Sequence, residues 1–371
     1  MRDLRVPFLA SFEGLRGFAA LGIFVYHFHH VRAFDALTSK APVFFGQGWM
    51  FVDLFFVLSG WVMAHVYFAR LSQRNRADVA GFMVARVARL YPLHVTVVLT
   101  WFFLFHVPGG DGLDRGTLST LASQLSMTFT WGDLATRPFV APTWSISAEF
   151  AAYLLFPLLV WAGLPATRLR AVALICCGLA GYVLLHGAFE TIHVITGMAP
   201  VRAISGFVIG VGMWKLIGCA RTHGRVRLLE LLALAAFAAT ILSGMFSFGF
   251  LATGILLVGA VSNDKGTIAR IFQIKAFQLL GRLSFSMYMW HWFVIVAFQN
   301  LSVSFSAAEG LVVLAATVIG VLIWSELSVR YIEQPMGRAL KSRLKHVTYT
   351  PSLQFCGMKS LNHDTDAQNS L

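Results

Sequence analysis

Charge is scarce in this sequence. Only 12% of its 371 residues are Asp, Glu, Lys or Arg, about half the share of a soluble domain. Cysteine is scarce as well. Cys176 and Cys177 sit in an apolar run, Cys219 near a helix end and Cys356 in the tail, with no CxxC or Cys/His spacing. That excludes a zinc module and a disulfide framework, and no metal site is expected. The N-terminal stretch is not expected to be a cleavable signal peptide. Glu13 and Arg16 interrupt what would be its apolar core, and no small-x-small cleavage site follows. There is no internal repeat, and no basic stripe lies outside the loops. The formal net charge of +12 therefore does not point to nucleic acid.

What the chain has in quantity is apolar sequence, 57% of its residues. The long apolar stretches predict an all-α polytopic membrane protein. About ten spans are expected, near 11–31, 49–68, 90–107, 144–163, 171–187, 201–218, 229–245, 247–262, 284–300 and 309–327. Placing the N-terminus in the cytoplasm puts 23 of the 29 Lys and Arg inside, four outside and two, Arg16 and Arg202, within spans. This asymmetry predicts both termini on the cytoplasmic side. Residues 1–345 read as one integral domain and 346–371 as a polar, patternless tail, expected to be disordered. The longest outer loop, 108–143, carries Asp111, Asp114, Asp133 and several aromatics. It is read either as a short interfacial helix lidding a site or as a plain connection.

The first apolar helix carries Arg16 at its start and His27 near its far end. Eleven residues at about 100° and 1.5 Å each place the two on one stripe, about 16 Å apart. Ionisable groups at membrane depth cost on the order of 2–3 kcal/mol or more and usually face a bundle interior. Asp53 lies about four residues into the second span. It is read either as a partner for His27 or as a helix N-terminal acid favoured by the dipole. Arg86 and Arg89, three apart, share a helix face. They suit a phosphate-bearing ligand through bidentate bonds, and equally suit topogenic charge beside anionic lipid. Ser145, Glu149 and Tyr153 form one column at i, i+4 and i+8, and a membrane Glu between hydroxyls is a site candidate. Ser284, Tyr288 and His291 form another. His291 reads either as catalytic or as bonded to a neighbouring carbonyl. Glu333 is a candidate partner for a loop arginine, and Pro335 ends the last helix. The expected layout is a cytoplasmic cluster of Arg16, Arg86, Arg89 and Arg282 facing a deeper polar set of His27, Asp53 and Glu149.

Six segments in order resemble one family. They are Phe12-Glu13-Gly14-Leu15-Arg16-Gly17 with His27 at Arg-x10-His spacing, Val52-Asp53-Leu54-Phe55-Phe56-Val57-Leu58-Ser59-Gly60, and Arg86-x-x-Arg89-x-Tyr91-Pro92. Thr143-Trp144-Ser145-Ile146-Ser147-Ala148-Glu149 with Tyr153 and Pro157, Gly281 through His291, and Glu333-x-Pro335 complete the set. The chain resembles the acyltransferase-3 family of integral membrane O-acyltransferases, bacterial enzymes that acetylate lipopolysaccharide, exopolysaccharide, peptidoglycan and nodulation factors. The resemblance covers about 11–336. Glu13 stands where the family commonly has Asp, and Phe285 where it commonly has Tyr. Some relatives carry a hydrolase-like domain after the last helix to complete transfer outside; none is read here.

The resemblance implies an acyl-CoA donor, usually acetyl-CoA, as substrate with no resident cofactor. It implies donor binding by Arg16, Arg86 and Arg89, a catalytic His27 and a required Glu149. Arg282 joins the donor set by its place at the same face. The expected reaction is O-acylation of a glycan or glycolipid hydroxyl at the bacterial inner membrane, with no nucleic-acid partner. Imidazole at His27 would act as general base, with Asp53 or Glu149 fixing its tautomer; the variant is a covalent acyl intermediate on His27. The rival class is a transporter or flippase of a sugar-bearing lipid, for which no inverted repeat or paired broken helices appear.

Overall fold

The computed structural model describes residues 8–105, 115–132, 138–217 and 223–344. Helices α1 (Ala10–Tyr26), α2 (Asp35–Thr38), α3 (Pro42–Gly46), α4 (Phe51–Leu71) and α5 (Arg76–Phe105) come first, followed by α6 (Arg115–Leu125) and α7 (Trp144–Trp161). Then come α8 (Arg168–Phe189), α9 (Ala199–Ile217), α10 (His223–Ser243), α11 (Phe246–Val261) and α12 (Thr267–Phe272), and last α13 (Lys275–Gln299), α14 (Ala307–Ser328) and α15 (Gln334–Arg343). Each of the expected spans falls on one of these helices.

Seven helices among the described residues, α4, α5, α7, α8, α9, α10 and α14, are long and apolar enough to cross a membrane. This is the make-up of a multi-pass membrane protein. Three of the expected ten fall short of that measure. Helix α11 is apolar but has 16 residues, α1 has 17, and α13, although 25 residues long, is diluted by Lys275, Gln278, Arg282, Ser284, Ser286 and His291. The two helices that carry most of the expected site residues are thus among those that lipid would accept least readily alone. They are accepted because they lie against each other and behind the rest.

That packing rests on glycine. A Cβ built on Gly17 would lie 2.3 Å from the Gly281 amide nitrogen, and one on Gly281 would lie 2.1 Å from the Glu13 carbonyl oxygen. The α1 and α13 backbones therefore touch directly, as small residues allow between membrane helices. Helices α4 and α9 meet the same way, with Gly60 against the Phe207 carbonyl and Gly210 against the Val57 carbonyl. Around these pairs, the inner faces of α4, α5, α7, α9 and α13 build the main core from Phe56, Phe82, Trp144, Phe156, Phe207 and Tyr288. Helices α8, α10 and α14 keep most of their surface outside, through side chains such as Leu184, Leu242 and Val312.

The loop expected at 108–143 contains helix α6, although Asp111, Asp114 and Asp133 lie outside the described residues, as does the 346–371 tail. The loop is pinned on both sides. His94 Nε2 donates to the Gln124 carbonyl at 2.8 Å, and Trp131 Nε1 donates to the Ser147 carbonyl at 3.0 Å.

The α1–α13 contact yields a stability test. Gly17→Ala inserts a methyl group where backbone already lies, and overpacking of this kind costs about 1–3 kcal/mol. Gly187→Ala, on α8 with nothing within 4 Å of the added carbon, is expected to be neutral or to gain up to about 1 kcal/mol. Thermal melting of the detergent-solubilised protein reads both; equal midpoints would rule out the close approach as a determinant of stability.

Candidate active site

Helix α13 presents its expected column of polar side chains to three different partners. Ser284 Oγ accepts from Arg16 Nη2 at 3.2 Å. The Tyr288 hydroxyl donates to the Pro142 carbonyl at 2.9 Å and lies 2.7 Å from Ser145 Oγ at the start of α7. His291 meets His27. Their ring centroids are 5.1 Å apart with planes inclined at 27°. The Arg16-to-His27 stripe of α1 and the Ser284-to-His291 column of α13 therefore run side by side, as the helical spacing predicts.

His27 follows α1 as the first residue of a 3-10 turn, His27–His30. It is half-buried, with the Trp292 ring edge-on at 5.1 Å and Tyr26 at 4.8 Å. Its Nδ1 is buried and has no hydrogen-bond partner. The ring packs against side chains of both α1 and α13.

Glu149 stands at the centre of a second network. Tyr153 donates its hydroxyl to Glu149 Oε1 at 2.6 Å and lies 3.1 Å from Ser59 Oγ on α4. The Arg86 guanidinium lies over the rings of Tyr153 and Tyr67, at 5.9 and 5.3 Å, and donates to the Tyr67 hydroxyl at 3.0 Å. Arg86 is thus drawn into the bundle and connected through Tyr153 to Glu149. Its neighbour on the face, Arg89, stays at the rim. Arg89 pairs with Glu333 at 2.7 Å and lies over Phe285 at 5.2 Å, which answers the expectation that Glu333 meets a loop arginine. Glu333 belongs to a π turn, Val329–Glu333, a local irregularity common at functional sites. Proline at position 92 has no N–H for the Ala88 carbonyl, and Gly337 of α15 lies against that freed oxygen. Helix α15 thereby seats on α5, and Lys341 falls within electrostatic reach of Arg86 and Arg89.

Two expected site residues go elsewhere. Asp53 does not partner His27. Its carboxylate is held by Arg202 of α9, Nε to Oδ1 at 2.9 Å and Nη2 to Oδ2 at 2.6 Å, and by the Tyr182 hydroxyl at 2.9 Å. Both charged side chains are essentially sealed, 1% and 0% exposed. Trp49 and Trp144 lie against the guanidinium at 5.1 and 5.0 Å. A bidentate pair with π faces and a phenol satisfies most of what a buried Asp and Arg require. His193, in the connection between α8 and α9, stacks on Trp49. Burial and the Arg202 charge push its imidazolium down to about 4, so it adds no second positive charge there. Arg282 also leaves its expected cluster, because it points to α14 and pairs with Glu326 at 2.5 Å, both half-exposed. Neither Asp53 nor Glu149 is bonded to His27.

Arg202 and Tyr182 were given no role by sequence, although a lone Arg in an apolar span requires an internal counter-charge and so signals a buried acid. Among the described residues no group of three or more His, Cys, Asp or Glu is placed to hold a metal ion.

Residues 9–326 match the acyltransferase domain that defines the acyltransferase-3 family, and the chain belongs to that family. It is 31% identical over 323 residues to the acyltransferase MdmB of Streptomyces mycarofaciens, covering 78% of this chain and 80% of that protein. It is 23% identical over 366 residues to the O-acetyltransferase OatA of Staphylococcus aureus, covering 89% of this chain and 57% of OatA. The peptidoglycan O-acetyltransferase OatA of Listeria monocytogenes is 22% identical over 371 residues, with 56% of its length covered. The chain thus spans little more than half of either OatA. No solved structure matches it. The protein is a membrane acyltransferase, and the transporter reading finds no support in these relatives.

The buried pair makes its own prediction. Asp53→Ala leaves the Arg202 charge uncompensated and is expected to cost about 3–5 kcal/mol of stability. Replacing both residues, Asp53→Leu with Arg202→Met, is expected to cost less than the single change. Melting of the three proteins in detergent checks this, and a double mutant weaker than the single would show that the ion pair itself supplies the stability.

Proposed function

We propose that the protein transfers an acetyl group from cytoplasmic acetyl-CoA to a hydroxyl of a glycan or glycolipid, with His27 as general base. The observation that carries this reading is the position of His27. Its ring is seated inside the bundle at one end of the α1–α13 pair, with Arg16 at the other end and Arg86 and Arg89 on α5. An anionic donor suits this arginine end. Arg16, Arg86 and Arg89 are the donor-binding set in this reading. Arg282, engaged by Glu326, is left out of it, and Asp53 is left out of the catalytic set. Glu149 acts on the donor site by holding Tyr153 against Arg86.

The chemistry balances on this chain's own residues. The acceptor oxygen attacks the thioester carbonyl carbon while His27 takes the hydroxyl proton. The tetrahedral intermediate collapses, the carbon–sulfur bond breaks, and the departing CoA sulfur recovers the proton from His27. General-base help of this kind contributes roughly 10²–10⁴-fold. The charge asymmetry of the loops supports a topology of ten spans with both ends inside, which presents the arginines to cytoplasmic CoA, and the bacterial inner membrane is the setting proposed. The Listeria OatA, named for peptidoglycan O-acetylation, supports a glycan acceptor, and MdmB supports acyl transfer by a chain aligned over most of its length.

Release of CoA thiol from acetyl-CoA is measured on membranes of a deletion strain carrying each variant, supplemented with that strain's lysate as the acceptor source. His27→Ala is expected to lose at least about 10²-fold in rate while inserting normally; wild-type turnover would refute the proposal. Arg86→Ala with Arg89→Ala removes charge-assisted bonds worth about 1.5–3 kcal/mol each. The acetyl-CoA KM is expected to rise about tenfold or more with kcat changed little, and an unchanged KM would reduce the pair to topogenic charge.

A further inference from the structure

His291 completes the site from the opposite helix. Its Nδ1 lies 2.7 Å from the Tyr288 carbonyl oxygen. A carbonyl can only accept, so Nδ1 carries the hydrogen and Nε2 presents a bare lone pair. That Nε2 is buried and has no partner. A buried polar nitrogen left unsatisfied is rare and unfavourable. His27 has the complementary deficit, an Nδ1 that is also buried and unpartnered. The two rings lie 5.1 Å apart, centroid to centroid, with planes within 27° of parallel. Two imidazoles joined by an N–H···N bond have centroids about 5 Å apart, since each nitrogen sits about 1.1 Å from its ring centre and the bond spans about 2.9 Å. The ring centroids match that separation; the two nitrogens are not bonded as the rings stand, and a rotation of the His27 ring that points its Nδ1 at His291 would satisfy both. His30, whose ring is 5.9 Å from His27, is exposed. No carboxylate is bonded to His27.

We infer that His291 is the positioning residue of the transfer reaction, accepting the Nδ1–H of His27 at its own Nε2 and so holding His27 in the tautomer whose Nε2 is free to take the acceptor proton. The chain of control runs from a backbone group to the reacting atom. The Tyr288 carbonyl sets the tautomer of His291, His291 sets that of His27, and the base nitrogen follows. This is the orienting part that a buried acid plays in a hydrolytic triad, filled here by a second neutral imidazole. The inference rests on His27 being the general base.

Two substitutions separate the two nitrogens of His291. Asn places its amide nitrogen near the Nδ1 position, so His291→Asn keeps the bond to the Tyr288 carbonyl and removes the acceptor. Gln reaches the Nε2 position, so His291→Gln keeps an acceptor oxygen toward His27 and gives up the bond to Tyr288. In the CoA-release assay His291→Asn is expected to lower kcat about 10²-fold or more with the acetyl-CoA KM within about twofold, and His291→Gln is expected to keep kcat within about tenfold of wild type. A residue that only anchored its own helix would give the reverse order, and that order, or equal losses in the two variants, overturns the inference. Should both variants turn over at the wild-type rate while His27→Ala is inactive, this inference falls and the proposed function stands. Activity in His27→Ala instead removes the base on which both depend.

Discussion

The backbone contact between α1 and α13 is the constraint on which the site depends. Arg16 and His27 are placed by one helix, Ser284, Tyr288 and His291 by the other, and the rings of His27 and His291 meet only because nothing larger than glycine separates the two helices at Gly17 and Gly281. Two helices with this many polar groups gain little by facing lipid. Facing each other, they satisfy part of their polarity across the seam, with the Arg16–Ser284 bond as the clearest case, and they hide the remainder behind α4, α5, α7 and α9. The more apolar α8, α10 and α14 then take up contact with the acyl chains. The division into inner polar helices and outer apolar ones follows from the cost of ionisable groups at membrane depth.

The second fixed point is the Asp53–Arg202 pair. It joins α4 to α9 and, through Trp144, reaches the start of α7. Helix α7 carries Ser145 to Tyr288 and Glu149 to Tyr153. The buried ion pair thus sets the position of the helix that connects the two networks, without touching His27. Its value to the enzyme is positional, in keeping with the modest net contribution of buried pairs to stability when a hydrophobic replacement is available.

Much of this was legible in the sequence because it lies within single helices. The 3.6-residue period places Glu149 beneath Tyr153, aligns Ser284, Tyr288 and His291, and puts Arg16 and His27 on one stripe. The same geometry accounts for Arg282. It lies two residues before Ser284, about 200° around the helix, so a face that offers Ser284 to α1 must turn Arg282 toward α14. Partners across helices were harder to read. Asp53 and Arg202 are 149 residues apart, and no local pattern ties one to the other. The general requirement that a buried acid has a partner was correct; the identity of that partner was fixed by the Gly60 and Gly210 contacts between α4 and α9, which are tertiary. The lengths of α1 and α11, and the polar content of α13, also explain why ten apolar stretches become seven helices that could cross a membrane unaided.

Arg202 and Arg86 differ in how their charge is met. Arg202 has a carboxylate in bidentate contact, a phenol on that same carboxylate and two indoles for its faces. Its Nη1 is buried without a partner, but its charge is matched by the carboxylate. Arg86, half-buried, has no carboxylate at ion-pair distance among the described residues. It holds a neutral tyrosine hydroxyl and two tyrosine rings, while its Nε is buried without a partner. The nearest acid of that network, Glu149, is occupied by Tyr153. A guanidinium dressed in π faces and phenols is desolvated without being neutralised, and so retains its affinity for an anion. Arg89 and Lys341 at the rim add to the same field, with Glu333 tempering it. On the proposed reading this difference in neutralisation, more than the spacing of the arginines, is what reserves α5 for the phosphates of the donor and leaves α9 to hold the bundle together.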